Sequence, residues 1–109
     1  MFVIAKVNAE EITVAVASNF YPSLKLLKQE FESVSPHKIN IVSASTGKIY
    51  SQIVYGAPFD IFMSADTQIP KLLEHNGLAI KGSRFTYAVG RLVLWSADDN
   101  LVDPLGDIL

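Results

Sequence analysis

Small hydroxyl residues follow two short apolar runs in this chain, and each group stands where a helical pattern begins. The hydroxyl residues are Ser18 after the first run (12–16), followed by Asn19, and Ser45 and Thr46 after the second run (39–42), followed by Gly47. Hydroxyls and free backbone N–H groups donate hydrogen bonds, and the start of a helix favours negative charge. Two parallel strands that each bring such groups to one sheet edge can therefore hold an anion there.

Serine and threonine before a helix also have a purely structural use, because they cap the first backbone N–H groups. Spacing alone leaves both interpretations open, either two capped helices or an anion site. For an anion site we expect Ser18 and Thr46 to be the main donors. Ser45, Asn19 and the amides around Gly47 are the secondary candidates.

Other site chemistries find less support in the sequence. A nucleotide-binding P-loop ending at Gly47 needs a glycine and a hydroxyl residue where Val42 and Ile49 stand. Neither Ser18 nor Ser64 lies in the Gly-x-Ser-x-Gly pattern of a hydrolase nucleophile. No enzyme activity is expected.

The remaining titratable residues are interpreted as structural. His37 and His75 are far apart in the sequence and make no metal-ligand pattern, so surface or capping positions are expected for both. Asp60 has apolar neighbours and is interpreted as a carboxylate buried against donors. Asp66 is interpreted as a helix cap.

Composition indicates one globular domain that does not bind nucleic acid. The chain has 109 residues, of which 50% are hydrophobic and 18% charged, so it can bury a core. Its formal net charge is −2 and its Lys and Arg residues are scattered, which gives no basic stripe for a phosphate backbone. The absence of cysteine excludes disulfides and thiolate chemistry.

The two ends of the chain suggest boundaries. Residues 1–5 are apolar and residues 7–9 resemble a small-x-small cleavage pattern, which predicts a signal-peptide remnant over residues 1–9, with a frayed N-terminus as the alternative. Residues 10–88 are expected to form an incomplete first lobe, and residues 89–109 a crossover strand and the start of a second lobe. The sequence thus resembles a truncated protein. No run is long enough to span a membrane.

The first half of the chain predicts a strand, a helix and a strand. Residues 12–16 are nearly all apolar and β-branched, as in a strand covered on both faces. Pro22 fits a first helical turn, and Ser18 and Asn19 before it are typical cap residues. A proline after Ser35 ends the helix. The residues predicted to share its apolar face are Leu24, Leu27, Phe31 and Val34.

The pattern then continues with two helices and a strand. A helix is predicted from a Thr46 cap to about Tyr55, and a strand over residues 59–63. Asp66 begins a third helix, which ends at Gly77. The side chains expected to face inward are Ile49, Ile53 and Val54 on the second helix, and Leu72 and Leu73 on the third.

Two later segments, 84–88 and 91–96, are also predicted strands, the second being the apolar run before Ser96. Strands that alternate with helices at this spacing favour an α/β fold with a mostly parallel sheet and right-handed crossovers. The helices are then expected on both faces of the sheet.

Four stretches of the chain resemble one known family. They are Ile12-Thr-Val-Ala-Val-Ala-Ser-Asn19, Ser45-Thr-Gly-Lys-Ile-Tyr-Ser-Gln-Ile53, Gly56-Ala-Pro-Phe-Asp-Ile-Phe-Met-Ser-Ala-Asp66 and Gly90-Arg-Leu-Val-Leu-Trp-Ser96. In this order they are similar to the N-terminal half of periplasmic molybdate-binding proteins, the solute receptors of molybdate ABC importers. The resemblance implies a lobe of the type II periplasmic-binding-protein fold.

The resemblance also implies a ligand and the residues that bind it. Such receptors close two lobes on a dehydrated molybdate or tungstate ion, and the first lobe donates a serine after its first strand and another in a Ser-Ser-Gly-Lys type loop. These correspond to Ser18 and to Thr46, where threonine keeps the hydroxyl and adds a methyl group. Contact with the metal atom would be through the oxyanion oxygens only, and no cofactor is implied.

The partners implied are the oxyanion and a membrane permease, with a periplasmic or other extracytoplasmic location. This chain would then hold half of the binding site, and alone could pair with a second copy. The alternatives are a receptor of the same fold for sulfate or another small anion, and a ligand-sensing domain of a regulator.

Overall fold

A computed structural model describes residues 9–98 of the chain. It contains three strands and three helices that alternate along the sequence. In order they are β1 (Glu11–Ala17), α1 (Tyr21–Val34), β2 (Lys38–Ala44), α2 (Thr46–Val54), β3 (Ile61–Met63) and α3 (Gln68–His75). The predicted α/β architecture is confirmed for this part of the chain. Within it, no helix is both long and apolar enough to cross a membrane.

The three strands form one parallel sheet in the order β2-β1-β3. Ala17 at the end of β1 pairs with Ala44 at the end of β2, and Val16 pairs with Met63 at the end of β3. The three strands therefore end at nearly the same level. The chain passes from β2 over β1 to reach β3, which explains why α2 packs against β1.

Both faces of β1 are covered, as its sequence predicts. Val14 and Val16 cluster with Leu24 of α1 on one face. Because successive side chains of a strand point to opposite faces, Ala15 and Ala17 lie on the other, and both are buried. Ile49 of α2 and Leu73 of α3 are also buried but lie outside the Leu24 cluster. Helices thus pack on the two faces, as right-handed crossovers in opposite directions require.

Several side chains predicted to face inward are exposed. Leu27 is 50% exposed and Val34 85%, so only Leu24 anchors the predicted face of α1 deeply. Val54 of α2 is likewise exposed, and Leu72 of α3 is 38% exposed. Their apolar spacing is helical, as predicted, but the three-stranded sheet is too narrow to cover the outer edges of these faces.

The strands predicted at 84–88 and 91–96 are wrong for this structure. No residue between 76 and 98 belongs to a helix or strand, and Leu92 and Trp95 are exposed. A strand needs a hydrogen-bonding neighbour. Among residues 9–98, none pairs with these two segments. The predicted signal-peptide remnant and the end of the predicted second lobe lie mostly outside the described residues.

The titratable residues interpreted as structural include three that lie at or next to the ends of strands or helices. Asp60 is exposed rather than buried, but the expected donor is present, because Thr13 N–H donates to Asp60 Oδ2 at 2.8 Å. His37 accepts a hydrogen bond from Glu10 N–H through Nδ1 at 3.2 Å, and His75 is exposed at the end of α3. Within residues 9–98, no group of three or more His, Cys, Asp or Glu residues could hold a metal ion.

Candidate functional site

Three loops meet at the carboxyl edge of the sheet, and they contain the residues chosen from the sequence. Ser18 directly follows β1, Ser45 follows β2 and Ser64 follows β3. Ser18 N–H donates to Ala44 O at 3.0 Å, which extends the β1–β2 pairing by one residue. Since neighbouring strands are about 4.8 Å apart, the structure brings the Ser18 and Thr46 loops together as predicted.

The strand order marks this edge as a ligand position. In doubly wound sheets that begin 2-1-3, ligands bind outside the carboxyl ends of the strands, between the first and third. The sheet here has that order, so the carboxyl ends of β1 and β3 are the expected ligand position. Ser18 and Ser64 flank it.

The start of α1 does not depend on a side-chain cap, so the predicted capping role of Ser18 and Asn19 is wrong. Phe20 stands at the cap position and no side chain bonds to the first turn. Instead, Phe20 N–H donates to Ala17 O at 3.0 Å and Tyr21 N–H to Ser18 O at 3.3 Å. This backbone turn and the missing N–H of Pro22 leave few amides to cap. Ser18 is exposed, and within residues 9–98 no hydrogen bond occupies its hydroxyl.

The start of α2 is capped, but by Ser45 and not by Thr46 as predicted. Ser45 has an extended backbone and its hydroxyl accepts from Lys48 N–H at 3.2 Å, which is the usual N-cap bond. Thr46 is already the first helical residue, so its side chain cannot reach back to cap. Its Oγ1 instead accepts from Ala65 N–H of the β3–α3 loop at 3.1 Å.

That bond leaves Thr46 able to donate. A hydroxyl has one proton and two lone pairs, so Oγ1 can accept from Ala65 and still donate its proton to another acceptor. The backbone N–H groups of Thr46 and Gly47 lie in the first turn, where a helix offers them no acceptor. A Cβ on Gly47 would meet nothing within 4 Å. The loop therefore presents neutral donors beside open space.

The β3–α3 loop is held by its own hydrogen bonds. Ser64 is buried, and its hydroxyl donates to Asp66 Oδ1 at 3.3 Å and accepts from Asp66 N–H at 3.2 Å. Asp66 Oδ1 also accepts from Ile69 N–H at 2.9 Å. Asp66 thus caps α3 as predicted, although Thr67 occupies the formal cap position.

Sequence reasoning missed Tyr87, which contacts two of the three loops. Its hydroxyl donates to Ser64 O at 3.1 Å. Its ring meets Phe20 edge-on, with 4.9 Å between ring centroids. Partial burial raises the pKa of the Tyr87 hydroxyl above its ordinary value of about 10. The only sequence signal was an aromatic residue in an apolar segment, which says nothing about its partners.

The structure also contains a groove away from these loops. It has a volume of about 620 Å³ and is lined by Leu27, Glu30, Phe31, Ser33, Val34 and Ile39, at the end of α1 and the start of β2. This is the opposite edge of the sheet. Its lining is mostly apolar and offers little to an anion.

The sequence of this chain is similar to a family of known proteins. The profile of the family described as bacterial extracellular solute-binding protein matches residues 12–109. The chain belongs to this family. The match includes all three loops at the carboxyl edge of the sheet.

Individual relatives are named for one ligand. The chain is 48% identical over 102 residues to the molybdate-binding protein ModA of Azotobacter vinelandii, covering 94% of this chain and 40% of the relative. It is 45% identical over 101 residues to the ModA protein of Rhodobacter capsulatus, covering 93% and 40%. The chain thus spans about 40% of the length of these curated relatives. They are named as binding proteins, not as enzymes.

Solved structures show the same similarity. The periplasmic molybdate-binding protein of A. vinelandii matches with a TM-score of 0.78 and 46% identity, over 89% of this chain and 42% of that one. The substrate-binding domain of a putative molybdenum ABC transporter from Clostridium difficile matches with a TM-score of 0.59 and 25% identity, over 62% and 30%. The periplasmic-binding-protein fold expected from the resemblance is confirmed.

Proposed function

We propose that this protein is an extracytoplasmic receptor that binds molybdate or tungstate and delivers it to the permease of an ABC importer. The observation that carries the proposal is the position of Ser18 and Thr46. Their hydroxyls follow the ends of two paired strands, and the proton of each is free to donate among the described residues. The names of the relatives supply the ligand class.

The donors suit a dehydrated oxyanion. Hydroxyl and first-turn amide groups give directed hydrogen bonds, and the N-terminus of α2 adds a favourable dipole. Ser18, Thr46 and the Gly47 amide are the proposed first-lobe donors to the anion, with Asn19 as a further donor. The Ser45 hydroxyl already accepts the Lys48 amide, so it contributes to the anion only through its own proton. Donors from outside residues 9–98 would complete the site.

Calorimetry on the intact protein as expressed from its gene tests this proposal. Sodium molybdate and tungstate are titrated directly, and sulfate and phosphate are then used as competitors. We expect tight binding of molybdate and tungstate and weaker binding of sulfate. Failure to bind any of these tetrahedral oxyanions would reject the proposed function, whereas a preference for sulfate would move it to the neighbouring receptor class.

Three variants then test the residues. Ser18→Ala and Thr46→Val each remove one hydroxyl, and a lost hydrogen bond to a charged group costs about 1.5–3 kcal/mol, or roughly 10- to 100-fold in Kd. Thr46→Ser keeps the hydroxyl and should bind nearly as the native protein does. Ser33→Ala is the control, because that hydroxyl bonds only to Glu30 O at the far end of α1. Equal losses in the control and in Ser18→Ala would exclude a direct role for Ser18.

A further inference from the structure

One peptide group links Tyr87 to Thr46. The carbonyl of Ser64 and the N–H of Ala65 belong to the same peptide unit. Tyr87 Oη donates to the Ser64 oxygen at 3.1 Å, and the Ala65 nitrogen donates to Thr46 Oγ1 at 3.1 Å. A trans peptide is planar and its C=O and N–H point in opposite directions. Tyr87 and Thr46 are therefore joined through a rigid connector.

The direction of each bond in this series is fixed. A carbonyl oxygen can only accept, so the Tyr87 proton points to Ser64. An amide N–H can only donate, so Thr46 Oγ1 is the acceptor and its own proton must point elsewhere. Hydrogen bonds in series polarise one another, so each donor in the series strengthens the next.

We propose that Tyr87 is a positioning residue for the anion site, holding the Ser64–Ala65 peptide so that the Thr46 hydroxyl is oriented to donate to the ligand. The inference rests on the proposed function, because it assigns Thr46 as an anion donor. Tyr87 lies on no strand or helix. It also comes before residues 90–96, the last of the four stretches that resemble the known family. It acts through Thr46 and touches no ligand itself.

Two further contacts hold Tyr87 where it can do this. Its ring packs edge-on against Phe20, the cap residue of α1, so the β1–α1 and β3–α3 loops are tied together on one aromatic pair. Three residues earlier, Arg84 Nε lies 3.5 Å from Glu74 Oε2 of α3. The segment that contains Tyr87 is thus held by two side-chain contacts, although it is not paired with a strand.

A double-mutant cycle on the intact protein tests the proposal, with molybdate as the titrant. Tyr87→Phe keeps the ring and removes only the hydroxyl, and we expect Kd to rise about three- to tenfold. Tyr55→Phe is the matched control, because Tyr55 is 91% exposed and lies at the other end of α2. It should leave Kd unchanged.

Combining Tyr87→Phe with other substitutions distinguishes a positioning role of Tyr87 from a general contribution to fold stability. If Tyr87 acts through the Thr46 hydroxyl, Tyr87→Phe should have little further effect on Kd in Thr46→Val and its full effect in Ser18→Ala. The Ala65 amide gives a second readout, independent of the titration. Its hydrogen exchange should accelerate in Tyr87→Phe and stay unchanged in Tyr55→Phe.

The outcomes are distinct. A native Kd in Tyr87→Phe, with weakened binding in Ser18→Ala and Thr46→Val, would overturn the role of Tyr87 and leave the proposed function intact. An equal loss in the native and Thr46→Val backgrounds would also overturn it, because Tyr87 would then act by another route. Absence of oxyanion binding by the native protein would reject the proposed function, and the role of Tyr87 with it.

Discussion

Asp60 hydrogen-bonds to Thr13 twice, once through its backbone and once through its side chain. Asp60 N–H donates to Thr13 O at 3.0 Å, and Thr13 N–H donates to Asp60 Oδ2 at 2.8 Å. The carboxylate takes the place of a strand carbonyl just before β3 begins. The β1–β3 pairing is therefore one residue longer than the three-residue strand indicates.

Asp60→Ala should destabilise the protein because it leaves the Thr13 amide without this acceptor. Asp60 is exposed and solvent screens its charge, so we expect a loss below the usual range of about 1.5–3 kcal/mol for a charged hydrogen bond, about 1 kcal/mol in the free energy of unfolding. Urea denaturation measures it. Asp60→Asn retains an acceptor oxygen and should lose less than the alanine variant. Equal losses in the two would show that the side-chain bond contributes little.

Gly47→Ala should raise stability and weaken anion binding at the same time. Gly47 lies in the first turn of α2, where alanine is favoured over glycine by about 0.5–1 kcal/mol, and the new methyl would meet nothing within 4 Å. The same methyl would enter the space where the proposed anion meets the first-turn amides. We expect a higher melting temperature and at least about a tenfold larger Kd for molybdate, by analogy with the loss of one charged hydrogen bond.

Gly56→Ala provides the contrast for that variant. Gly56 follows the C-terminal cap residue of α2. Its φ is +93°, which L-residues rarely adopt. The substitution should therefore lower stability by about 1 kcal/mol or more while leaving the Kd of the folded protein unchanged. A stable Gly47→Ala variant with native affinity would place the anion away from the α2 amides.

The adjacent leucines of α3 should respond very differently to truncation. Leu73 is 3% exposed whereas Leu72 is 38% exposed. Leu73→Ala removes buried methyl groups and leaves a cavity, so we expect a loss of about 2–5 kcal/mol in the free energy of unfolding. Leu72→Ala should cost under about 1 kcal/mol. Thermal and urea unfolding of both variants measure the difference, and similar losses would contradict the observed orientation of α3.

Tyr87 should make stability depend on pH in the alkaline range. Burial raises its pKa above the usual value of about 10. A group whose pKa is raised in the folded state contributes stability that is complete below the unfolded pKa and is lost as the pH rises through the folded pKa. The stability advantage of the native protein over Tyr87→Phe should therefore shrink above about pH 10. Urea unfolding over that range measures it, and a constant difference would contradict the prediction.

The fold was largely predictable because its signals are local. The β1 sequence is apolar at consecutive positions, as both faces of a central parallel strand require. Gly56 and Gly77 both have positive φ and stand where helices were predicted to end. The segment 91–96 also has a strand composition, but a strand forms only against a neighbour. The sequence of a segment does not say whether that neighbour is present.

The candidate site was predictable only in part. Ser18 and Thr46 were found because strand ends and helix starts have recognisable sequences, and the register brings their loops together. The choice between Ser45 and Thr46 as cap depends on which backbone is extended, and either sequence position was compatible with the pattern. Tyr87 reaches Ser64 across 23 residues of chain, and a contact between an irregular segment and a loop carries no periodic signal.

Because the three strands end at nearly the same level, the strands and the helices should tolerate changes in their length unequally. Ala17 stands opposite Ala44, and Val16 opposite Met63, so the loops start from a shared baseline. One residue inserted into an exposed position of α1 need not change the alignment of these strand ends. One residue inserted into β2 would shift its loop by about 3.3 Å and turn every later side chain to the other face. An insertion in a helix of this protein is therefore expected to disturb the aligned strand ends less than an insertion in β2.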